Sequence, residues 1–223
     1  MKYAVYNNLF NFLKSKTTIE NSWTLLEFGT GKYGFAKFYK EFFSEVIALD
    51  IEYYSEFHPG IDFLVYDCNS PIPMNDKSVD IVVSHSVLEN VSHLDFCLSE
   101  INRILRMNGT NYLTVDPLYN SGFGSHLYVD GERLNNWEHL VERSEYFLID
   151  YPNIELRKNG DFLNMLTSQK FLSAVSKQPW TIESYWLDFE RKPINPEVDQ
   201  SKFLKLELLT KGFRFVGKKV KEL

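Results

Sequence analysis

Two cysteines occur in 223 residues, Cys68 and Cys97, far apart and in neither a Cys-x-x-Cys nor a histidine-bearing spacing. That excludes a disulfide framework, offers no zinc site, and makes a reducing, cytoplasmic setting the simplest expectation, with no metal. Basic runs are as scarce. Lys218, Lys219 and Lys221 form the one cluster in a chain of formal net charge -6, a poor footprint for holding a phosphate backbone, so no nucleic-acid partner is expected. Long apolar runs are missing too. "MKYAVYNNLFNFLKSK" puts asparagines where a signal peptide needs unbroken apolar chain, and no stretch approaches the length of a membrane span, so no membrane insertion is expected.

What is present suits one large core. Hydrophobic residues make up 44% of the chain and charged residues 24%, which is ordinary globular composition and not that of a disordered chain. Val5, Leu9, Phe12 and Leu13 recur at helical spacing, so residues 1–22 read as an N-terminal helical segment ahead of a single domain over 23–223. Apolar runs of strand length follow at Trp23 to Phe28, Val46 to Asp50, Phe63 to Asp67 and Val79 to Ser84. "SHLDFCLSEINRILRMNG" is the clearest helix: Ser92 and Asp95 suggest a capping box, Leu94, Leu98, Ile101 and Leu105 share a face that takes Cys97 into the core, and Gly109 is placed to end it. Tyr112 to Val115 is a fifth strand. Strands separated by helical segments imply parallel pairing through right-handed crossovers, an α/β, Rossmann-like open sheet with helices on both faces. After Val115 the pattern loosens into an insertion, a helix around Asp161 to Ser176, a strand from Thr181 and a closing strand at Phe213 to Val220. The cofactor half is therefore 23–115, and the insertion with its closing strands is 116–223.

"LLEFGTGKYG" carries Gly29, Gly31 and Gly34 as G-x-G-x-x-G at the end of the first strand, the pattern that lets backbone approach a ligand closely. Asp50 stands nineteen residues beyond Gly31, at the end of the next strand, where a carboxylate accepts from both ribose hydroxyls. That pair fits a nicotinamide dinucleotide and S-adenosylmethionine equally well.

The third strand separates them. "YDCNSPIPMNDKSVDIVVSHSVLENV", from Tyr66 to Val91, followed by "LSEINRILRMNGTNYLTV", resembles the class I S-adenosylmethionine-dependent methyltransferases of the type 11-like branch, over roughly Trp23 to Val115. The resemblance implies a seven-stranded sheet and S-adenosylmethionine as cofactor. It places Glu27 near the amino-acid end of that cofactor, Gly29 and Gly31 in its turn, Asp50 on the ribose and Ile51 against the adenine ring. Asp67, with the backbone of Cys68, would meet the adenine amino group, and Ser84 and His85 would line the methionine side. Two positions depart from the family: Tyr33 stands where a third glycine is common, and the turn usually written Pro-Gly-Gly reads Asn108, Gly109, Thr110. Tyr33 bears on how the carboxylate end is held.

Methyl transfer leaves the protein to orient the acceptor, exclude water and, for a hydroxyl acceptor, take up a proton. "DPLYNSGFGSHLYVDGERLNNWEHL", after the fifth strand, concentrates Asp116, Tyr119, His126, Tyr128, Trp137 and His139. His126 is the first choice for general base, since imidazole titrates nearest working pH, with Asp116 and Tyr119 beside it; a loop histidine pinning backbone is the rival reading. The stretch is faintly similar to a subgroup of the same family associated with sugar and surface-glycan products, so the expected acceptor is a small molecule or glycan. Tyr119, Phe123, Tyr128, Trp137, Trp180, Tyr185 and Trp186 read first as core of the insertion and second as a stacking wall. His58 and His93 read as surface or capping residues.

Overall fold

The computed structural model describes residues 11–15, 19–126, 128–129, 132–141, 154–155 and 164–221. Ten strands, β1 to β10, and four labelled helices, α1 to α4, run through them. The order is β1 (Thr24–Phe28), α1 (Ala36–Tyr39), β2 (Glu45–Asp50), β3 (Asp62–Val65), β4 (Val79–His85), α2 (Leu94–Ile104) and β5 (Leu105–Val115). There follow β6 (Tyr128–Val129), β7 (Glu132–Arg133), β8 (Ile154–Glu155), α3 (Ser168–Val175), β9 (Trp180–Phe189), α4 (Lys205–Leu209) and β10 (Thr210–Lys219). Seven strands form one sheet in the order β3-β2-β1-β4-β5-β10-β9, and β7-β6-β8 form a small second sheet. The first five are parallel, and β10 runs antiparallel to both β5 and β9. Of the expected N-terminal helix, residues 11–15 are helical and the part before them lies outside the described residues.

Alternation along the strands sorts side chains between two cores. Leu26, Phe28, Ile47, Leu49, Val82, Leu113 and Val115 pack on one face beneath α2 and α3; Leu25, Val46, Ala48, Ile81, Val83 and Tyr112 pack on the other with Leu13 and α1. Central strands buried on both faces explain why their sequences are nearly unbroken apolar runs. The sheet order reverses at β1 and β4, which are neighbours although β2 and β3 lie between them in sequence. Their carboxyl ends thus flank the crevice where open α/β sheets take ligands.

Three local expectations change. The Ser92 and Asp95 cap does not form: His93 stands at the N-cap position of α2 without a side-chain bond, and Asp95 pairs with Lys177 at 2.6 Å. Gly109 does not end α2, which stops at Ile104. Instead β5 starts at Leu105 and loops out of register between its pairings of Leu105 with Val79 and Thr110 with Ile81, with Asn108 at a φ of 64°. The third strand is shorter than its apolar run, leaving Asp67 in the turn beyond Val65. Trp137, at 0% exposure, and Phe123 and Trp180 are core, as the first reading of the aromatics holds.

Lys219 is a further departure from its reading as part of a basic run. Only 1% exposed, it donates from Nζ to the carbonyls of Asn102 (2.9 Å) and Leu105 (3.0 Å), so a cation from the last strand satisfies the carbonyl end of α2. Lys219→Met keeps the length of the side chain and removes both bonds. It is expected to cost about 1.5–3 kcal/mol of unfolding free energy, read from the urea midpoint; an unchanged midpoint means water serves the two carbonyls as well.

Candidate cofactor and acceptor site

The chain leaves β1 through Gly29 and Gly31, both at positive φ (78° and 55°). At Gly29 a Cβ would collide with the side chain of Val87, whereas at Gly31 it would enter open space, so the first glycine is required by packing and the second leaves room above the turn. The turn rests on the end of β2: Gly29 N–H and Thr30 N–H both donate to the Leu49 carbonyl (2.7 and 3.1 Å), and Gly31 N–H donates to Asp50 Oδ2 (2.8 Å).

Glu27 lies beneath the turn at 2% exposure. Its carboxylate accepts from Thr30 Oγ1 (2.6 Å) and from the backbone N–H groups of Phe35 (2.8 Å) and Ala36 (2.7 Å), the first donors of α1. Burial pushes its pKa from an ordinary 4.5 up to about 7, against the lowering effect of these bonds. Glu27 and His85 face the same side of the sheet. The His85 ring is held between Tyr39 OH at Nε2 and Thr114 Oγ1 at Nδ1 (both 3.2 Å), edge-on to Phe35, and burial lowers its pKa to about 4, so it is neutral near pH 7. Ser84 points to the opposite face, fully buried and with no partner for its hydroxyl among the described residues. Successive strand residues point to opposite faces of the sheet.

Ile51 follows Asp50 at 65% exposure, and Tyr33 is 75% exposed. The exposed Asp67 accepts from the Asn69 N–H (3.0 Å), which holds its carboxyl below the usual range, and Cys68 takes a φ of 64°. A cavity of about 760 Å³ between α3 and the N-terminus of α2 reaches this corner at Cys68 and does not extend over the glycine turn.

The acceptor-side candidates lie apart in the loop after β5. Asp116 is paired with Lys211 (2.6 Å). Tyr119 is half-buried, its hydroxyl pushed up by desolvation, and its carbonyl faces His139 Nε2 (2.6 Å). His126 is buried, takes a φ of 56° and stacks on Phe123 with ring centroids 5.3 Å apart. Burial lowers the pKa of His139 to about 4. The side chain of Tyr128 lies outside the described residues.

Sequence reasoning missed His58. It is not a surface residue: at 2% exposure it places Nε2 2.7 Å from the Gly31 carbonyl. Thr30, inside the glycine motif, was open to recognition as a hydroxyl donor; nothing local marks His58.

Residues 26–113 match the family model described as a methyltransferase domain. None of the curated proteins matches the chain. Among solved structures it is similar to a SAM-dependent methyltransferase from Methanosarcina mazei (16% identity, 95% of this chain and 98% of that one, TM-score 0.60). It is also similar to an S-adenosylmethionine-dependent methyltransferase from Mesorhizobium loti (12%, 93% and 96%, TM-score 0.60) and to the [4+2]-cyclase SpnF (12%, 95% and 80%, TM-score 0.59). Identities this low carry the fold alone. Among the described residues no helix is long and apolar enough to cross a membrane.

Glu27 yields a test independent of any ligand. A carboxyl whose pKa is raised from 4.5 to about 7 on folding keeps its proton in the native state while the unfolded chain has lost it, so stability falls as pH rises between those values. The loss is on the order of 3 kcal/mol across that window. Glu27→Gln is expected to flatten the decline when unfolding midpoints are compared from pH 4.5 to 7.5; parallel profiles for the two proteins refute the raised pKa.

Proposed function

We propose, from the premise that this chain is a member of the class I S-adenosylmethionine-dependent methyltransferase family, that it methylates a small-molecule or glycan acceptor, at a hydroxyl. S-adenosylmethionine is its cofactor. The observation that carries the reading is the Gly31 turn. Its N–H is fixed by Asp50, the space a Cβ would occupy is open, and a buried carboxylate, Glu27, lies directly beneath with neutral hydrogen-bond donors around it.

These residues fit the cofactor's chemistry. Glu27 supplies negative charge toward its ammonium group, Asp50 accepts from the ribose hydroxyls, Ile51 covers a face of the adenine, and Asp67 with the Cys68 backbone meets the adenine edge. His85, neutral and fixed between Tyr39 and Thr114, lines the same side as Glu27; Ser84 contributes only from beneath. When bound, the cofactor supplies a methyl group on a sulfonium, which needs no acid to leave, so the protein's own chemistry is confined to the acceptor. Of the three candidates for removing the acceptor proton, Asp116 is engaged by Lys211 and the Tyr119 hydroxyl is made less acidic by burial. In this reading His126, its ring stacked on Phe123, is the general base.

The second reading is a methyltransferase-fold module without acceptor chemistry. Tyr33, exposed where a third glycine is common, favours it, as does the likeness to a protein whose named reaction is a cyclisation.

Scanning calorimetry with S-adenosylhomocysteine is expected to raise the unfolding midpoint, and NAD is not, because a ligand of the native state stabilises by mass action. Asp50→Ala is expected to weaken S-adenosylhomocysteine at least ~10-fold through loss of charge-assisted bonds. His126→Ala is expected to lower turnover by ~10²-fold with cofactor affinity unchanged. A shift with NAD alone removes the cofactor reading; wild-type protein that binds S-adenosylmethionine yet methylates no member of a hydroxylated-metabolite and glycan library supports the module.

A further inference from the structure

Gly31 is held from two directions by residues of the β2–β3 connection. Its N–H belongs to the peptide joining Thr30 to Gly31 and donates to Asp50 Oδ2 at 2.8 Å. Its carbonyl belongs to the next peptide, toward Lys32, and lies 2.7 Å from His58 Nε2. Because a carbonyl can only accept, His58 carries its hydrogen on Nε2 and donates it. A glycine at a φ of 55° has no side chain to resist rotation of either peptide, so the two bonds together do what a side chain would: one limits φ, the other ψ.

His58 is built for a fixed orientation. It is 2% exposed, its ring lies 6.1 Å from that of Phe63, and its Nδ1 is buried without a partner among the described residues, so Nε2 makes the ring's one hydrogen bond within them. The flanking backbone is closed on itself, with His58 N–H donating to the Ser55 carbonyl (3.0 Å) and Ile61 N–H to that of His58 (3.2 Å). Lys32, next after Gly31, places Nζ 5.6 and 5.7 Å from the ring centroids of Tyr54 and Phe57, a second link between the same two segments.

We infer that His58 is a positioning residue for the cofactor: its Nε2–H bond to the Gly31 carbonyl holds the glycine turn in the ligand-ready shape before anything binds. It touches no reacting atom. Its effect is to remove an ordering cost from binding, so its loss weakens affinity without removing a direct contact. The inference rests on the proposed placement of the cofactor over Gly31.

The test compares His58→Gln, which keeps an N–H donor at similar reach, with His58→Met, which fills similar space and has none; S-adenosylhomocysteine is titrated calorimetrically into each and into Asp50→Ala. His58→Met is expected to bind roughly 5-fold more weakly than wild type, the scale of one net hydrogen bond, and His58→Gln within about twofold of wild type on that same scale. Equal affinities for the Gln and Met variants overturn the inference. If Asp50→Ala is nevertheless weakened, the cofactor placement survives and the positioning role alone falls; if Asp50→Ala also binds like wild type, the placement falls with it. A readout free of substitution is the ¹⁵N spectrum of the imidazoles in the wild-type protein: a hydrogen on Nε2 of His58 is expected, and a bare Nε2 overturns the assignment.

Discussion

The carboxylate of Glu27 accepts from Thr30 and from the first backbone donors of α1, and this single group decides how the chain turns from strand to helix. A four-residue helix has no stability of its own, since nucleation costs more than so few bonds return. It forms because a buried anion satisfies its leading N–H groups and because Ala36 and Tyr39 are buried against the sheet. The arrangement stores a cost as well. A carboxylate taken out of water with neutral donors and no cation among its described partners is held near the edge of protonation.

Everything above Glu27 follows from that turn. Gly29 passes too close to Val87 for any side chain, Gly31 is left open, and both are suspended from the end of β2 by Leu49 and Asp50. Parallel strands carry the half proposed to hold the cofactor. The proposed acceptor side is a loop after β5 that folds on itself, with Ser121, Gly124 and His126 each donating backbone N–H groups to carbonyls three residues back. On the proposed reading, affinity and acceptor chemistry sit on separate pieces of chain, which is the physical basis for expecting them to separate on mutation.

Much of the fold and of the glycine turn's setting was legible because the signals are local. The glycine spacing, a carboxylate closing each of the first two strands and the unbroken apolar runs of buried parallel strands lie within stretches of ten or so residues, where backbone periodicity alone sets the geometry. Ser84 and His85 mark the limit: both lie at the end of β4, but the pleat sends them to opposite faces, His85 to the side of Glu27 and Ser84 away from it. Gly109 failed as a helix stop for a related reason, since Leu105, directly after α2, pairs with Val79, which is distant in the chain.

From the sequence alone come the α/β order, the sheet's seven strands, the glycine turn and the acid after the second strand, all of which depend on residues near one another in the chain. Tertiary structure alone decided the partners that arrive from elsewhere: His58 beneath Gly31, Lys219 at the end of α2, Lys211 on Asp116 and Phe123 under His126. Periodicity states which face a side chain takes. It does not state which other segment the sheet order will bring to that face, and a buried polar group is defined by the partner it finds there.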